Sequence, residues 1–285
     1  MDVAVIGAGF WGTFIGQALV QRGLEVEWFD CHVPGAASRA AAGLVRPGSW
    51  KEPVAHWWRA AHEQRCRDYF AHHGQVLQEH LVSDYNPQPR HQGFVWSCRP
   101  PLARATPLVV QRLSGDGKGW TIHFDQGTLT AGHGVVLACG YWCRELLLAS
   151  QLEAPPLRPL AGRALVGQGE ELDGLLTRAF RFAGESRTRK FSIQPWGSGL
   201  FRVGDTLEPA GRDLLEPQRV ELHKTLALAS SGGDGSWMWG MRPMLPELFV
   251  EEVRPGLIVA TGGGRRGLAV APGVAQRVIE LWQLS

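Results

Sequence analysis

Gly7, Gly9 and Gly12 stand in the spacing GxGxxG, directly after the apolar run Val3 to Ile6 and directly before an apolar-periodic stretch from Phe10 to about Gln21. That order predicts a buried strand, a tight turn and a helix. Each glycine has its own physical task. The first permits the turn, the second lets a pyrophosphate approach the backbone, and the third lets helix and strand pack closely. The helix N-terminus offers unpaired N–H groups and a partial positive charge to an anion. A second strand, Glu25 to Phe29, closes on Asp30, an acid placed to accept hydrogen bonds from a ribose hydroxyl. Strand, glycines, helix, strand and acid within thirty residues predict a dinucleotide site.

The elements that must hold this site recur at the far end of the chain. Val135 to Gly140 (VVLACG) reads as a strand ending in glycine. Leu257 to Ala260 reads as a short buried strand running into Thr261-Gly262-Gly263-Gly264-Arg265-Arg266-Gly267-Leu268, with a last helix from about Pro272 to Leu284. A nicotinamide dehydrogenase has no need of a second glycine-rich turn there. A flavoprotein has, because a helix N-terminus can stabilise negative charge on a reduced flavin. The cofactor expected is therefore FAD. Between the ends, a helix is expected over about Val54 to His73, and prolines 87, 89, 100 and 101 break up the stretch that follows. Strands are expected at 107–112, 119–124, 134–138 and near 163–167, 189–194 and 199–204, with a helix over Leu214 to Ala229. Helical and parallel patterns at both ends around a β-rich middle predict an α/β fold. Its Rossmann-like FAD-binding domain is built from both chain ends, with an inserted antiparallel β-rich substrate domain. The boundaries expected are 1–80, 106–150 and 241–285 for the FAD-binding domain, and 81–105 and 151–240 for the substrate domain.

Composition excludes other classes. Of 285 residues 44% are hydrophobic and 20% charged, as in an ordinary globular protein, and the formal net charge of +2 gives no nucleic-acid footprint. Nothing resembles a secretory signal, and no apolar run reaches the ~18 residues of a membrane span, so a cytoplasmic location is expected by default. The five cysteines, Cys31, Cys66, Cys98, Cys139 and Cys143, contain no CxxC pair, and Cys139 and Cys143 read as packing residues. Six of the ten histidines lie between His56 and His91 without metal-ligand spacing and read as a solvated helical face.

The chain resembles the D-amino-acid oxidase and glycine oxidase family of FAD enzymes. The likeness lies in GAGFWG with Asp30, ASRAAAGLVRP (37–47), VVLACGYW (135–142), FRVGDTLEP (201–209), GMRPMLPE (240–247) and PGLIVATGGGRRGLAVAP (255–272). The resemblance implies that Ser38, Arg39, Ala41, Ala42 and Gly43 wrap the FAD diphosphate and ring edge. It further implies that Val109 contacts adenine, that Gly140 lies near the pyrophosphate, and that Gly262 to Leu268, with Gly264, Arg266 and Gly267 among them, line the flavin. FAD is expected to be non-covalent. Arg242 corresponds to the arginine that binds the substrate carboxylate in such enzymes, and Arg265 to a second arginine near the flavin. Arg46 adds to an anion site, and Trp239 and Trp50 are candidates to wall the pocket, although the core suits each better.

The implied activity is oxidation of an amine or amino acid by hydride transfer to flavin, with O2 as acceptor and a small-molecule substrate as partner. Nucleic acid and membrane are not expected, and the oligomeric state is left open. Two alternatives stand beside it: a tRNA-modifying FAD oxidoreductase acting on a bulky amine, and a flavin-binding protein with little catalytic activity. The chain departs from the family by its shortness after Phe94-Val95-Trp96. It also carries Gly263 and Gly264 where glycine oxidase-like chains have bulkier residues. Both imply a smaller lid and an emptier pocket.

Overall fold

The computed structural model describes residues 1–32, 36–41, 43–50, 54–83, 86–98, 100–115, 119–168, 175–180, 189–197, 200–204, 208–209 and 236–284. In chain order the elements begin β1 (Val3–Ile6), α1 (Phe10–Val20), β2 (Val26–Phe29), α2 (Ala37–Ala40), β3 (Leu44–Val45), α3 (Ala60–His73), β4 (Gln75–Ser83) and β5 (Asn86–Ser97). They continue β6 (Val110–Gly115), β7 (Trp120–Phe124), β8 (Gly127–Ala131), β9 (Gly134–Leu137), α4 (Cys143–Ala149), β10 (Arg158–Gln168), β11 (Leu175–Phe180) and β12 (Arg189–Gly197). The last are β13 (Leu200–Gly204), β14 (Glu208–Pro209), β15 (Ser236–Arg254), β16 (Leu257–Gly263) and α5 (Gly267–Leu281).

One long sheet has the order β2-β1-β9-β16-β15-β10-β13-β12-β11-β4-β5-β3, with β14 beside β10, and a second small sheet has the order β6-β7-β8. The first four strands of the long sheet are parallel, so β1, β9 and β16 run together although they come from the start, the middle and the end of the chain. This is the Rossmann-like part, and it confirms the α/β fold expected. β15 joins it to the rest. Its later half pairs with β16 from Phe249 to Arg254, and its earlier half pairs with β10 from Ser236 to Met244. From β10 to β12 the sheet is antiparallel.

The inner parallel strands β1, β9 and β16 are buried throughout because both their faces are covered, whereas the edge strand β2 exposes Glu27. Val3 and Val5 point into a core with α1, α3 and α5, while Ala4 and Ile6 point into a second core with α4 and the β6–β8 sheet. Two-residue alternation thus splits one strand between two hydrophobic layers.

Several expectations shift. The helix expected from Val54 begins only at Ala60, and Val54 is held instead to β15, with the Leu248 N–H donating to its carbonyl at 3.0 Å. The last helix begins at Gly267 and contains Pro272 rather than starting there. Prolines 87 and 89 do not break the chain. They lie in β5, which among the described residues is bordered on that side only at Trp96 and Ser97 by β3, so no described strand calls for an N–H from their stretch. The long strand β15 is not anticipated. The helix expected over Leu214 to Ala229 lies outside the described residues. The histidines do not form one solvated face, for His62 is 1% exposed.

Candidate active site

At the end of β1 the backbone of Gly7 has φ +103, which a side chain disfavours, and an added Cβ would lie 2.7 Å from the backbone of Ala138. Gly7 therefore brings the β1 turn onto the end of β9. An added Cβ on Gly12 would lie 1.8 Å from the Gly7 carbonyl oxygen, so the third glycine seats α1 on its own turn. α1 starts without a side-chain cap of its own at Gly9 and without an acid in its first turn. Ser38, from α2, comes across to accept the Phe10 N–H at 2.9 Å. Asp30 accepts the Ala8 N–H at 2.8 Å and the His32 N–H at 2.7 Å. These bonds fix its carboxylate at the mouth of the turn. Lone pairs remain for a ribose hydroxyl.

The second glycine turn closes on the first. The indole of Trp11 donates from Nε1 to the Gly267 carbonyl at 2.6 Å, and an added Cβ on Gly263 would lie 2.8 Å from the Trp11 ring. Thr261, 1% exposed, donates from its hydroxyl to the Gly140 carbonyl at 2.9 Å. Trp11 and Thr261 thus clamp three strand ends into one rim. Neither is singled out by sequence reasoning. A tryptophan inside a glycine motif reads as helix core until its partner, 256 residues away, is in place. α5 likewise lacks a side-chain cap and a first-turn acid. Two helix N-termini facing one cavity, α5 without a side-chain cap and α1 with only the Ser38 hydroxyl on its first N–H, suit a ligand with negative charge.

That cavity has a volume of about 1370 Å³. It exceeds the roughly 300–1,000 Å³ of a single small-molecule pocket and leaves room for a dinucleotide with a substrate beside it. Of the expected cofactor residues, Gly7, Gly9, Asp30, Ser38, Arg39 and Gly43 line it, together with Val109, Gly140 and the run Gly263 to Leu268. Gly12 lies beneath the turn rather than on the wall. Gly262 is a correction: it is buried off the wall, its α-carbon turned toward Leu245. Ala42 lies outside the described residues. The two glycine turns, the anchored acid and the cavity volume fit FAD, whose diphosphate the α1 N-terminus would hold.

The other end of the cavity belongs to the antiparallel region. Arg242 and Arg265 both line it. An added Cβ on Gly162 of β10 would lie 1.9 Å from the Arg242 Nη1, so the guanidinium lies flat on glycine backbone one strand away. Arg46 is a second correction. It is not an anion site on its own, since it donates to Glu79 Oε1 from Nη2 at 2.8 Å and from Nε at 3.3 Å, and the carboxylate offsets its charge. Trp50 does not wall the pocket. It is 3% exposed in the core and donates to the Ala269 carbonyl at 2.9 Å. The Trp239 side chain lies outside what is described. Sequence reasoning also misses Glu79, Gly162, Ser192 and Gln194, all on the cavity wall. They come from three strands distant in sequence, and no local motif marks them.

Cys139 lines the cavity with its Sγ 3.5 Å from that of Cys143. The hydrogen bond with Cys143, and then burial, push the Cys139 thiol well up, so it is a packing group and a poor nucleophile. Among the described residues no cluster of three or more metal-type ligands occurs, and no helix is long and apolar enough to cross a membrane.

The family model described as FAD dependent oxidoreductase (DAO) matches residues 2–106 and 103–281. No curated protein sequence matches the chain. Solved structures do share the fold. An iminodiacetate oxidase from Chelativorans sp. BNC1 superposes with TM-score 0.72 at 14% identity, over 99% of this chain and 95% of that one. A glycine oxidase from Geobacillus kaustophilus gives 0.66 at 18% identity, over 99% and 94%. An FAD-bound L-alpha-glycerophosphate oxidase from Mycoplasma pneumoniae gives 0.75 at 15% identity, over 100% and 95%. With its two glycine turns clamped around one cavity and the family model matched from end to end, this chain belongs to the DAO family of FAD dependent oxidoreductases.

Proposed function

We propose that the protein oxidises an amine or amino acid carrying a carboxylate. The observation that carries this reading is the Arg242 guanidinium, laid against Gly162 on the wall of the cavity that both glycine turns enter. An arginine fork fixes the orientation of a carboxylate as well as its charge. Orientation alone can lower a barrier by several kcal/mol, with no acid or base acting. The carbon bearing nitrogen loses a hydride, the substrate leaves as an imine, and water hydrolyses the imine to a carbonyl compound and the free amine or ammonia. FAD, when bound, supplies the two-electron acceptor, and oxygen as final oxidant makes hydrogen peroxide the by-product. Two of the three oxidases above, glycine oxidase and iminodiacetate oxidase, are named for amines that carry a carboxylate, while the third is named for glycerophosphate.

The test is anaerobic bleaching of the flavin across a panel of amines, followed by peroxide measurement in air. Bleaching by amino-carboxylates and not by the matching plain amines is expected. Arg242→Ala should raise KM for a carboxylate amine at least tenfold, as loss of a charge-assisted hydrogen bond of about 1.5–3 kcal/mol requires. A flavin that no amine reduces would overturn the reading.

A further inference from the structure

Gln194 is 4% exposed, lines the cavity, and its Oε1 is buried with no hydrogen-bond partner among the described residues. Buried amide oxygens in folded proteins are nearly always paired, so one left unpaired in a residue that lines a cavity marks a place where a ligand donor belongs. Its direction is set by a strand. Ser192 and Gln194 alternate along β12 with Ile193, which is 2% exposed and not on the wall.

The position excludes the reacting amine as that donor. Gln194 pairs with Arg202 and Arg202 with Val166, whereas the Arg242 guanidinium lies over Gly162. Gln194 is therefore two strands across, roughly 10 Å at ~4.8 Å per strand, and four residues along β10, roughly 13 Å at ~3.3 Å per residue, from the glycine that Arg242 covers. An α-amino group cannot depart that far from its own carboxylate. Glu79 lies level with Gln194 on the other side, since it pairs with Leu175 while the next residue, Leu176, pairs with Ile193. Its Oε1 takes both Arg46 donors, so this ion pair adds no net charge and leaves Oε2 as an acceptor. Among the described residues the far end of the cavity thus carries acceptors and no uncompensated charge: Gln194 Oε1, Glu79 Oε2 and the Ser192 hydroxyl.

Resting on the amino-carboxylate reading above, we propose that this end recognises a neutral N–H donor, of the kind a terminal carboxamide supplies, at the far end of a long substrate, with Gln194 Oε1 as its acceptor. The substrate class is then an amino-carboxylate with an extended chain ending in a carboxamide, rather than glycine or another short amino acid.

The test needs no turnover. Half-amides of straight-chain dicarboxylic acids, in a series of rising length, carry the carboxylate and the terminal N–H but no oxidisable amine. Methyl ketones of the same length lack only the N–H. Isothermal titration of both into the FAD-loaded protein should show a length at which the half-amide binds at least tenfold more tightly than its ketone. Gln194→Met should bring that ratio close to one, and Gln194→Glu, which keeps an acceptor, should preserve a preference for the half-amide. Equal binding of the two at every length, no binding of either, or a ratio that survives Gln194→Met in protein that still holds FAD would each overturn the proposal. Bleaching of the flavin by short amino acids in the same preparation would show that oxidation of amino-carboxylates stands even if this selectivity fails.

Discussion

Gly162 has no chemistry of its own, yet the geometry of Arg242 depends on it. A methyl group there would overlap the guanidinium, at 1.9 Å from Nη1. Gly162→Ala should therefore raise KM for a carboxylate amine about tenfold while kcat changes little, as the loss of one charge-assisted contact predicts. Steady-state kinetics in a protein with undiminished flavin content would check it, and an unchanged KM would show that the arginine side chain is free to rearrange. Gly7 is a different case. Its φ of +103 and the 2.7 Å approach of an added Cβ to Ala138 mean that Gly7→Ala must shift the turn itself. A weakening of FAD binding by at least tenfold is expected, read as the flavin-to-protein absorbance ratio on dilution.

At the scale of elements, α1 is fixed by what lies beneath it. Trp28 of β2 donates from Nε1 to the Gly12 carbonyl at 2.9 Å, and its ring occupies the space where a Cβ on Gly16 would fall, 2.3 Å away. Gly16→Ala should lift the helix off the sheet and destabilise the fold by about 1–3 kcal/mol. A thermal melt should show a Tm lower by several degrees, and the FAD affinity should fall with it, because the same helix presents the first glycine turn. A stable variant that retains flavin would mean that Trp28 can swing aside. The clamp between the two turns acts at this scale too. Trp11 joins α1 to α5, so the cofactor seat exists only when both chain ends are packed.

For the whole molecule, stability is linked to the cofactor and to pH. FAD at about 100 times its Kd should add about 2.7 kcal/mol, and its removal should lower the Tm of the entire chain. Protonation enters through His62, buried between Trp57 and Trp58 of the segment before α3, with Glu280 and Arg277 of α5 and Arg59 as its charged neighbours. Burial lowers its pKa from 6.5, although Glu280, 3.3 Å away, pulls the other way. Since the unfolded chain takes up the proton first, this contribution is complete above pH ~6.5 and lost as pH falls below it. The Tm should drop as pH falls below about 6.5, and His62→Gln should flatten that slope. A slope unaltered by the substitution would assign the loss to other groups.

The amino-acid sequence by itself determined the dinucleotide turn, because strand, glycines, helix and acid are contiguous and each has a local reason for its residue type. It also marked the second glycine turn, whose residues likewise act through their own backbone. Arg242 was legible through its family motif. Neither contiguity nor motif could disclose that Trp11 reaches Gly267, that Glu79 offsets Arg46, or that Gly162 makes the bed for Arg242. Those contacts join strands far apart in the chain, and only sheet register decides which side chains share a wall. The buried Gln194 oxygen has the same origin: period-two alternation gives a strand two faces, and the tertiary structure alone chose which of them looks into the cavity.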